Sequence, residues 1–433
     1  MLKTIVIAAD PCAVIELKGR TQSLSKLKIF GLSLLKRLVL TAKKANFERV
    51  FILTDSQEQF VIADQLKDDR LAGVSLQVST LPAEIRPGSA ESLALLRLAE
   101  PFVFVSGESL FDFRLLEAIG IDWRENHRPL VVPEAGMFVC APKDLNPLLA
   151  TADTRESVLA TTLALAREGK WRRFEPNGHL SRPLKTKEDL QQAKDALYRG
   201  NGKKSDGIYA NFNKRVVARP LMNVILQTPI TPNMVTLTGL LFGILSGVIF
   251  AFGGYWYTLG GAFLLYLSSL LDHCDGMMAR LKFQESAFGC WLETASDYSS
   301  YVAAFAGMGI GLYKHTGNIF YAYIGALFVF GCVLSFLATG YQRKKFSNDQ
   351  PQDYINRLHT KMEARMSNPI YYFSRKCYFL TRRAFFPYAI LAFAILDLTW
   401  FFIMLCAFGA NLFWILTLNT NRLFNKADTS AQT

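Results

Sequence analysis

Four carboxylates between Asp272 and Asp297 have the spacing of a functional site. Asp272 and Asp275 are three residues apart, so a helix would place them on one face. Glu293 and Asp297 are four residues apart and would also share a helix face. Both pairs adjoin apolar segments, where an ionised side chain is costly to place, so we interpret them as functional.

The chemistry of this all-carboxylate set favours a hard divalent cation, Mg²⁺ or Mn²⁺. Two such ions can clamp a diphosphate and stabilise the charge that develops during phosphoryl transfer. One acid left free can accept the proton of an attacking hydroxyl. Gly276, Ala279 and Gly289 leave the nearby backbone bare, so that a nucleotide can approach it closely. The structural alternative is an ion-pair network of the acids with Arg280 and Lys282.

Long apolar segments separated by basic loops fill the chain from about residue 230 onward. Most of them approach the roughly 20 residues that a helix needs to cross a bilayer. The six segments lie near 234–252, 255–271, 290–313, 318–338, 384–398 and 400–418. The loop 341–384 is rich in Lys and Arg, so the positive-inside rule predicts that it is cytoplasmic. With six spans, the first half of the chain and the carboxylates fall on that same side.

The first half of the chain alternates short apolar strands with helical patterns. The predicted strands are Thr4–Ala9, Arg49–Thr54, Val74–Thr80 and Phe102–Ser106. The predicted helices lie near Leu32–Ala45, Glu58–Lys67, Ala90–Ala99 and Lys187–Tyr198, the last with Thr186 as its N-cap. This alternation predicts a mostly parallel sheet with helices on both faces.

Composition divides the chain of 433 residues into a charged first half and an apolar second half. The net charge is +12, but the basic residues lie beside apolar segments, which disfavours nucleic acid as a partner. No two of the seven cysteines have CxxC or zinc-site spacing, so we expect free thiols. The predicted fold class is an α/β domain followed by an all-α, six-helix transmembrane domain. Its predicted parts are the α/β domain 1–198, a linker 199–208, an amphipathic helix on the membrane surface 209–231, the six-span domain 232–420 and a cytoplasmic tail 421–433.

The carboxylate segment resembles the motif of the CDP-alcohol phosphotransferase family, D-x2-D-G-x2-A-R-x8-G-x3-D-x3-D. Seven of the eight fixed positions match in type and spacing, namely Asp272, Asp275, Gly276, Ala279, Arg280, Gly289 and Asp297. The one departure is Glu293, which stands where the family has its third Asp. Thr228–Thr236 also resembles the start of the family's first span, and the resemblance covers about residues 210–420.

The resemblance implies a role for each residue of the motif. Asp272, Asp275 and Glu293 would be ligands of two divalent ions, and Asp297 would be both a ligand and the general base. The CMP moiety would lie against Asp272, Gly276, Ala279, Arg280 and Gly289. At the ends of predicted spans, Arg343, Arg382 and Arg383 are candidates to bind an acceptor phosphate; the alternative is that they extend to lipid headgroups.

The first half resembles the sugar-phosphate cytidylyltransferases, but with altered functional positions. Its opening strand leads into Asp10-Pro11-Cys12-Ala13, which contains no Gly and in which Pro11 offers no amide to a phosphate. The other altered positions are Glu108, where a metal-binding Asp is expected, and Leu184 and Lys185, where the closing acid should be. The candidates for the catalytic lysine are Lys26 and Lys28. We therefore expect the fold without the nucleotidyl-transfer activity.

Together these features predict a multi-pass inner-membrane phosphotransferase with its site and its first domain in the cytoplasm. Such an enzyme would use a CDP-linked donor, release CMP and contact membrane lipids; by resemblance to the family it would be a homodimer. CDP-diacylglycerol is the expected donor, with soluble CDP-inositol as the alternative, and the acceptor alcohol stays open. The rival interpretation is a non-catalytic membrane scaffold or cation carrier, which the departure at Glu293 favours.

Overall fold

The computed structural model describes residues 2–145, 158–200, 219–346 and 386–430, apart from residues 18, 83 and 177. The chain divides into two compact units. The first comprises Met1–Gly202 together with Leu281–Gln284. The second comprises Lys203–Arg280 and Glu285–Thr433.

The first unit is an α/β structure. Its strands are β1 (Thr4–Ala8), β2 (Val14–Leu17), β3 (Arg20–Ser23), β4 (Lys28–Ile29), β5 (Leu32–Ser33), β6 (Arg49–Asp55), β7 (Ser75–Leu81), β8 (Phe102–Ser106), β9 (Ser109–Phe111), β10 (Leu130–Val132), β11 (Met137–Cys140), β12 (Arg172–Arg173) and β13 (Ser181–Pro183). Its helices are α1 (Leu34–Lys44), α2 (Gln59–Gln65), α3 (Ala90–Ala94), α4 (Phe113–Asn126), α5 (Val158–Arg167) and α6 (Lys187–Gly200). The fold-class prediction for this half is confirmed.

The main sheet of the first unit has seven strands in the order β12-β10-β11-β8-β1-β6-β7. β1 pairs in parallel with both β6 and β8, and β6 pairs in parallel with β7. β11 runs antiparallel to β8 and β10, which the sequence did not predict. Every residue of β1 is buried, because a central strand of a parallel sheet is covered on both faces. Because β1 and β8 run in parallel and Ala8 pairs with Ser106, the segments that follow the two strands, with Asp10 and Glu108, begin side by side.

Two helix ends of the first unit show how the local sequence sets the boundaries. The Thr186 hydroxyl accepts a hydrogen bond from the Asp189 amide at 3.1 Å, so Thr186 caps α6 as predicted. The predicted helix Ala90–Ala99 is shorter than expected and ends at Ala94. Arg97 has a φ of 44°, a left-handed conformation that a continuing helix cannot include.

The second unit consists of helices in its described part. They are α7 (Arg219–Ile225), α8 (Pro232–Phe250), α9 (Tyr255–Leu281), α10 (Ala287–Thr316), α11 (Phe320–Phe346), α12 (Phe386–Ile395) and α13 (Thr399–Ser430). Each of the six predicted apolar segments forms a helix. Among the described residues, two stretches are long and apolar enough to cross a membrane: Pro232–Phe250, with mean hydropathy 1.8, and Phe320–Tyr341, with mean hydropathy 2.1. The prediction of six membrane spans therefore stays a prediction.

Some sequence predictions fall on residues outside the described ranges. These are most of the linker 199–208, the first part of the amphipathic helix 209–231 and the basic loop 341–384 beyond α11. The last part of the predicted amphipathic helix is described as α7. The boundary between the last two apolar segments is a turn at Asp397, whose φ is 54°.

Glycines bring α8 and α10 into backbone contact. A Cβ built at Gly247 would overlap the carbonyl of Ala303, and one at Gly307 would overlap the carbonyl of Gly247. At Gly243 a Cβ would overlap the side chain of Ser300. Small residues at four-residue spacing allow helices to approach closely in this way, which is typical of packing within membranes. This contact fixes α10, which carries Glu293 and Asp297, against α8.

Candidate active site

The four acids lie on α9 and α10, at the ends that the connecting segment joins. Asp272 and Asp275 are in the last three turns of α9, which continues to Leu281. α10 begins after Ser286, whose hydroxyl accepts a hydrogen bond from the Gly289 amide at 3.0 Å. Glu293 and Asp297 follow in the next turns of α10. Each predicted pair therefore occupies one helix, at the spacing that places its members on a shared face.

Asp275 is the most buried of the four acids, with 3% of its surface exposed. The Thr236 hydroxyl of α8 donates a hydrogen bond to its Oδ2. Its Oδ1 is buried and has no hydrogen-bond partner among the described residues. The charges of Glu293 and Asp297 act on Asp275, so the fold brings acids of α9 and α10 together. Burying a carboxylate with one oxygen unsatisfied is unfavourable unless a cation or a donor reaches that oxygen.

A divalent cation fits this donor set, although the ligand geometry is not assembled. Among the residues that the structure describes, no three His, Cys, Asp or Glu side chains are close enough to hold an ion together. The fit rests on the unsatisfied Asp275 Oδ1 and on the all-oxygen character of the four carboxylates. Asp272, Glu293 and Asp297 are all partly exposed, so they remain accessible to a ligand.

Thr236 was not singled out by the sequence, and its role can be tested by substitution. Thr236→Val keeps the shape but removes the hydroxyl that holds Asp275 Oδ2. Groups that orient metal ligands typically contribute roughly 10- to 100-fold to metal affinity or activity. We expect Thr236→Val to raise the Mg²⁺ concentration for half-maximal CMP release by about tenfold or more. Thr236→Ser, which keeps the hydroxyl, is the matched control and should stay near wild type; equal behaviour of the two variants would contradict the assignment.

The glycines of the motif face particular side chains. A Cβ on Gly276 would lie 3.5 Å from Nη1 of Arg280, so the arginine extends back along its own helix over the bare backbone. A Cβ on Gly289 would lie 3.3 Å from Asn233 Oδ1 at the start of α8. Gly289 therefore allows α8 and α10 to begin close together. Ala279 is partly exposed beside Arg280.

The predicted acceptor-binding arginines are not tested by this structure. Arg343 lies near the end of α11, and its side chain is outside the described part of the chain. Arg382 and Arg383 lie outside the described residues altogether. A role for these three residues in binding an acceptor phosphate stays a prediction.

The loop after β1 in the first unit cannot cradle a phosphate with its amides. The Cys12 amide donates to the Asp10 side chain at 2.9 Å, and the Ala13 amide donates to the Asp10 carbonyl at 3.1 Å. Pro11 has no amide hydrogen. Of these three residues, Pro11 therefore has no amide to offer, and the amides of Cys12 and Ala13 are already hydrogen-bonded within the loop.

The altered positions of the first unit lie near one another. Asp10, Glu108 and Lys185 are close enough for their charges to interact. Partial burial, and then the Asp10 charge, raise the pKa of Glu108, while Lys185 opposes the shift. The Leu184 amide donates to the Glu108 carbonyl at 2.9 Å, and the Leu184 side chain is fully buried. By the resemblance to the cytidylyltransferases, Leu184 and Lys185 stand where an acid is expected.

The candidate catalytic lysines differ in their partners. Lys26 Nζ lies 2.9 Å from a carboxylate oxygen of Glu58, which also accepts a hydrogen bond from Ser25. Lys28 is exposed on the short strand β4. The pairing of Lys26 with Glu58 gives it a structural partner within its own unit.

We expect the first unit to transfer no nucleotide. The loop after β1 lacks free amides, and the two positions for metal-binding acids hold Glu108 and a Leu184–Lys185 pair. Incubating the full chain with CTP, Mg²⁺ and inositol, glycerol or sugar phosphates should release no pyrophosphate above background. An active cytidylyltransferase in parallel shows that the assay works, and pyrophosphate from any of these acceptors would make the protein bifunctional.

The C-terminal part of the chain matches a known family. Residues 229–405 match the family model for CDP-alcohol phosphatidyltransferases. The bifunctional IPC transferase and DIPP synthase of Aquifex aeolicus (strain VF5) is 24% identical over 331 residues, covering 69% of this chain and 74% of that protein. The phosphatidylinositol phosphate synthase of Cutibacterium acnes is 31% identical over 132 residues, covering 30% of this chain and 59% of that protein. This match agrees with the family that the motif predicts for this part of the chain.

Solved structures are also similar to a little under half of the chain. The inositol-1-phosphate CTP transferase from T. maritima is 16% identical with a TM-score of 0.37, covering 46% of this chain and 97% of that one. UDP-glucose pyrophosphorylase complexed with UDP-glucose is 11% identical with a TM-score of 0.36, covering 46% of this chain and 100% of that one. The α/β architecture of the first unit rests on its own sheet topology.

Proposed function

We propose that this chain, whose residues 229–405 match the CDP-alcohol phosphatidyltransferase family, moves a substituted phosphate group from a CDP-linked donor to an alcohol and releases CMP. The observation that carries the proposal is the buried Asp275, hydrogen-bonded through one oxygen and unsatisfied at the other. It lies within the electrostatic reach of Glu293 and Asp297 on the next helix. A motif that matches the family at seven of eight positions supplies these residues.

In the proposed mechanism each acid has its own task. Asp272, Asp275 and Glu293, together with Asp297, would hold two divalent ions, and these ions would neutralise the diphosphate and the departing CMP. Asp297, which is partly exposed, accepts the proton of the acceptor hydroxyl as that oxygen attacks the β-phosphorus. The bond from this phosphorus to the oxygen shared with CMP breaks, and CMP leaves. Thr236 keeps Asp275 in its orientation.

The nucleotide would lie beside the small residues of the motif. We place the CMP moiety against Asp272, Gly276, Ala279, Arg280 and Gly289. Arg280 extends over Gly276, and on that side of α9 we propose that its guanidinium contacts a phosphate oxygen of the donor. Gly289 lies in the first turn of α10, beside Asn233.

We place the second unit in a membrane, with the acids at its cytoplasmic surface. Leu237, Leu241, Phe330, Leu337 and Phe408 are each more than half exposed on its helices. Exposed apolar side chains in such numbers favour a lipid environment over water. The helix pairs in backbone contact through glycine support the same setting. We therefore propose a multi-pass protein of the inner membrane. The further proposal that it acts as a homodimer rests on the resemblance to the family alone.

Two donors fit this setting. CDP-diacylglycerol suits a site that opens at a membrane surface, and the Cutibacterium acnes relative, named for phosphatidylinositol phosphate synthesis, supports a lipid donor. Soluble CDP-inositol is the alternative. The bifunctional Aquifex aeolicus relative supports it, because that match of 331 residues is longer than either unit and reaches into both. We favour CDP-diacylglycerol because the described helices expose so much apolar surface.

A product screen tests the donor directly. Purified protein with Mg²⁺ or Mn²⁺ would receive labelled CDP-diacylglycerol or CDP-inositol, each with glycerol 3-phosphate, inositol phosphate, serine or a lipid alcohol. We expect CMP and a labelled lipid product from CDP-diacylglycerol, and neither from the Asp297→Asn control. CMP from CDP-inositol alone would select the alternative donor. Bound Mn²⁺ without CMP from any pair would favour a scaffold or cation carrier.

A further inference from the structure

The first residues of the short connection between α9 and α10 belong to the first unit. Leu281–Gln284 forms part of the first unit, although the helices on either side belong to the second. Five residues, Lys282–Ser286, separate the last residue of α9 from the first residue of α10. Leu281 is fully buried, and Lys282 is only 7% exposed. This connection joins the two helices that carry the four acids, so its position constrains both helix ends.

Arg37 of α1 holds the carbonyl of Leu281, the last residue of α9 before this connection. Its Nη2 donates to the Leu281 carbonyl at 2.9 Å and to the Ile29 carbonyl at 2.9 Å. Its Cζ lies 5.6 Å from the centre of the Phe283 ring and 5.9 Å from that of the Phe30 ring. The guanidinium thus reaches both the backbone and an aromatic side chain of the connection.

Arg37 is unusual because its charge is buried without a counter-charge. The residue is 2% exposed, and it has no carboxylate partner among the described residues. Its Nε likewise has no hydrogen-bond partner within the described part of the chain. Burial, and then the charge of Arg70, lower the pKa of Arg37 to about 9. Because an unpaired buried charge is destabilising, packing alone does not explain an arginine at this position.

Arg70 holds the next carbonyl and is itself held in place. Its Nη1 donates to the Lys282 carbonyl at 2.6 Å. Asp68 accepts from Arg70 Nε at 2.9 Å and from Nη2 at 2.6 Å, and it also pairs with Lys36. The Arg70 guanidinium keeps the pKa of Asp68 well below its usual range. Arg70 therefore meets the connection in a fixed orientation.

The two arginines act on the end of α9. The last carbonyls of a helix have no partner within the helix, and cations stabilise them. Arg37 and Arg70 supply two such cations on consecutive carbonyls. The chain then turns at Phe283, whose φ of 53° is unfavourable for an aromatic residue and needs contacts that hold it. Asp275 lies six residues before Leu281, roughly 9 Å along the helix at 1.5 Å per residue.

We propose that Arg37 and Arg70 are positioning residues for the transferase site: by holding the carbonyls of Leu281 and Lys282, they set where α9 ends and α10 begins. This inference rests on the proposed function. It assigns a purpose to a first unit whose own nucleotide site is altered. The acids of α9 and α10 must keep their relative placement, since a displacement of about 1 Å can lower a rate by about 100-fold.

Two substitutions and a matched control test the proposal in the full chain. Arg37→Met and Arg70→Met remove the donors but keep much of the side-chain volume. Arg49→Met is the control, because Arg49 pairs with Glu100 on the surface of the same unit. The measurements are thermal stability, hydrogen exchange of the amides of residues 282–287, kcat, KM for the CDP donor, and Mn²⁺ affinity.

For both test variants we expect amide exchange in 282–287 to accelerate about tenfold or more, since carbonyl contacts that close the turn are lost. We expect kcat to fall about tenfold or more, with KM for the donor changed less. The thermal midpoint should stay equal or rise for Arg37→Met, because replacing a buried charge by an apolar side chain is often neutral or stabilising. A lower kcat without a lower midpoint separates positioning from folding. Arg70→Lys keeps the charge but not the fork held by Asp68, and should recover only part of the rate.

Three results would overturn the proposal. These are unchanged amide exchange in both test variants, faster amide exchange with an unchanged kcat, or a loss of kcat no greater than that of Arg49→Met. Because Arg70 is partly exposed, we expect Arg70→Met to fold. If Arg37→Met does not fold, the measurements on Arg70→Met test the proposal. If the wild-type chain releases no CMP with any donor, the proposed function fails, and Mn²⁺ affinity then carries this test. Equal Mn²⁺ affinity in wild type and variants, or no binding in any, would also overturn it.

Discussion

Asp275→Asn should abolish CMP release while leaving the protein folded. The side chain keeps its size but loses the charge that would hold a divalent ion at Oδ1, the oxygen without a described partner. Metal stabilisation of phosphoryl transfer contributes several kcal/mol, so we expect the rate to fall about 1,000-fold or more. The rate of CMP release by the Asp272→Asn variant should fall by a similar factor. The measurement is the initial rate of CMP release over a range of Mg²⁺ and Mn²⁺ concentrations.

The matched control is Glu125→Gln, which makes the same chemical change, from carboxylate to amide, at an exposed acid of α4 in the first unit. Its rate should stay within about twofold of wild type, as for most surface substitutions. Thermal unfolding completes the comparison, because neutralising a buried carboxylate removes a desolvation cost and should not lower the midpoint. Asp275→Asn activity close to wild type, at any metal concentration, would contradict the proposed ligand role.

Glu293→Gln should lose most of the activity, by about 100-fold or more. Glu293 stands where the family has Asp, and it keeps the charge while placing it one methylene farther from the helix. The amide of Gln cannot replace a carboxylate as an anionic ligand. Glu293→Asp should not simply improve the enzyme, because α10 is fixed against α8 by backbone contact and cannot shift to compensate.

The two substitutions at Glu293 are each other's controls. Kinetics and Mn²⁺ affinity measured on the same preparations separate the loss of charge from the change of length. If Glu293→Gln keeps a normal rate and normal affinity, the residue does not bind the metal. The departure from the family motif would then support the scaffold or carrier interpretation.

The strands at the centre of the sheet could be predicted because their residues are apolar on both faces. Thr4–Ala8 and Phe102–Ser106 are continuous runs of this kind, and they appear within one residue of their predicted bounds. β10, β11 and β12 have four residues or fewer and carry no period, so neither they nor the antiparallel direction of β11 could be predicted. Whether such a short segment forms a strand, and in which direction it runs, depends on the neighbouring strand with which it pairs.

The acids of the candidate site could be predicted as pairs, because helical spacing is a local property. What surrounds them depends on the packing between helices. The hydrogen bond from Thr236 to Asp275 joins residues 39 positions apart, and no local pattern reports it. The only trace of the contact of α8 with α10 in the sequence is a pair of glycines four residues apart, Gly243 and Gly247.

The burial of Arg37 is a feature that the sequence does not predict. An arginine among the leucines of an amphipathic helix is ordinarily placed on its solvent face. Here it is buried, with its guanidinium on the carbonyl of Leu281, 244 residues later in the chain. Burial at this position follows from a tertiary contact, and the helical period of α1 contains no sign of it.

The most direct test of the central claim is CMP release from a CDP-linked donor by the purified wild-type chain, with and without divalent ions. CMP would be separated and quantified after incubation with CDP-diacylglycerol and the acceptor panel, in Mg²⁺, in Mn²⁺ and in excess chelator. We expect CMP with either ion and none in chelator, with activity returning when the ion is restored. Full CMP release in chelator would contradict the account, as would no release under any of these conditions from a folded protein, with CDP-inositol tried as well.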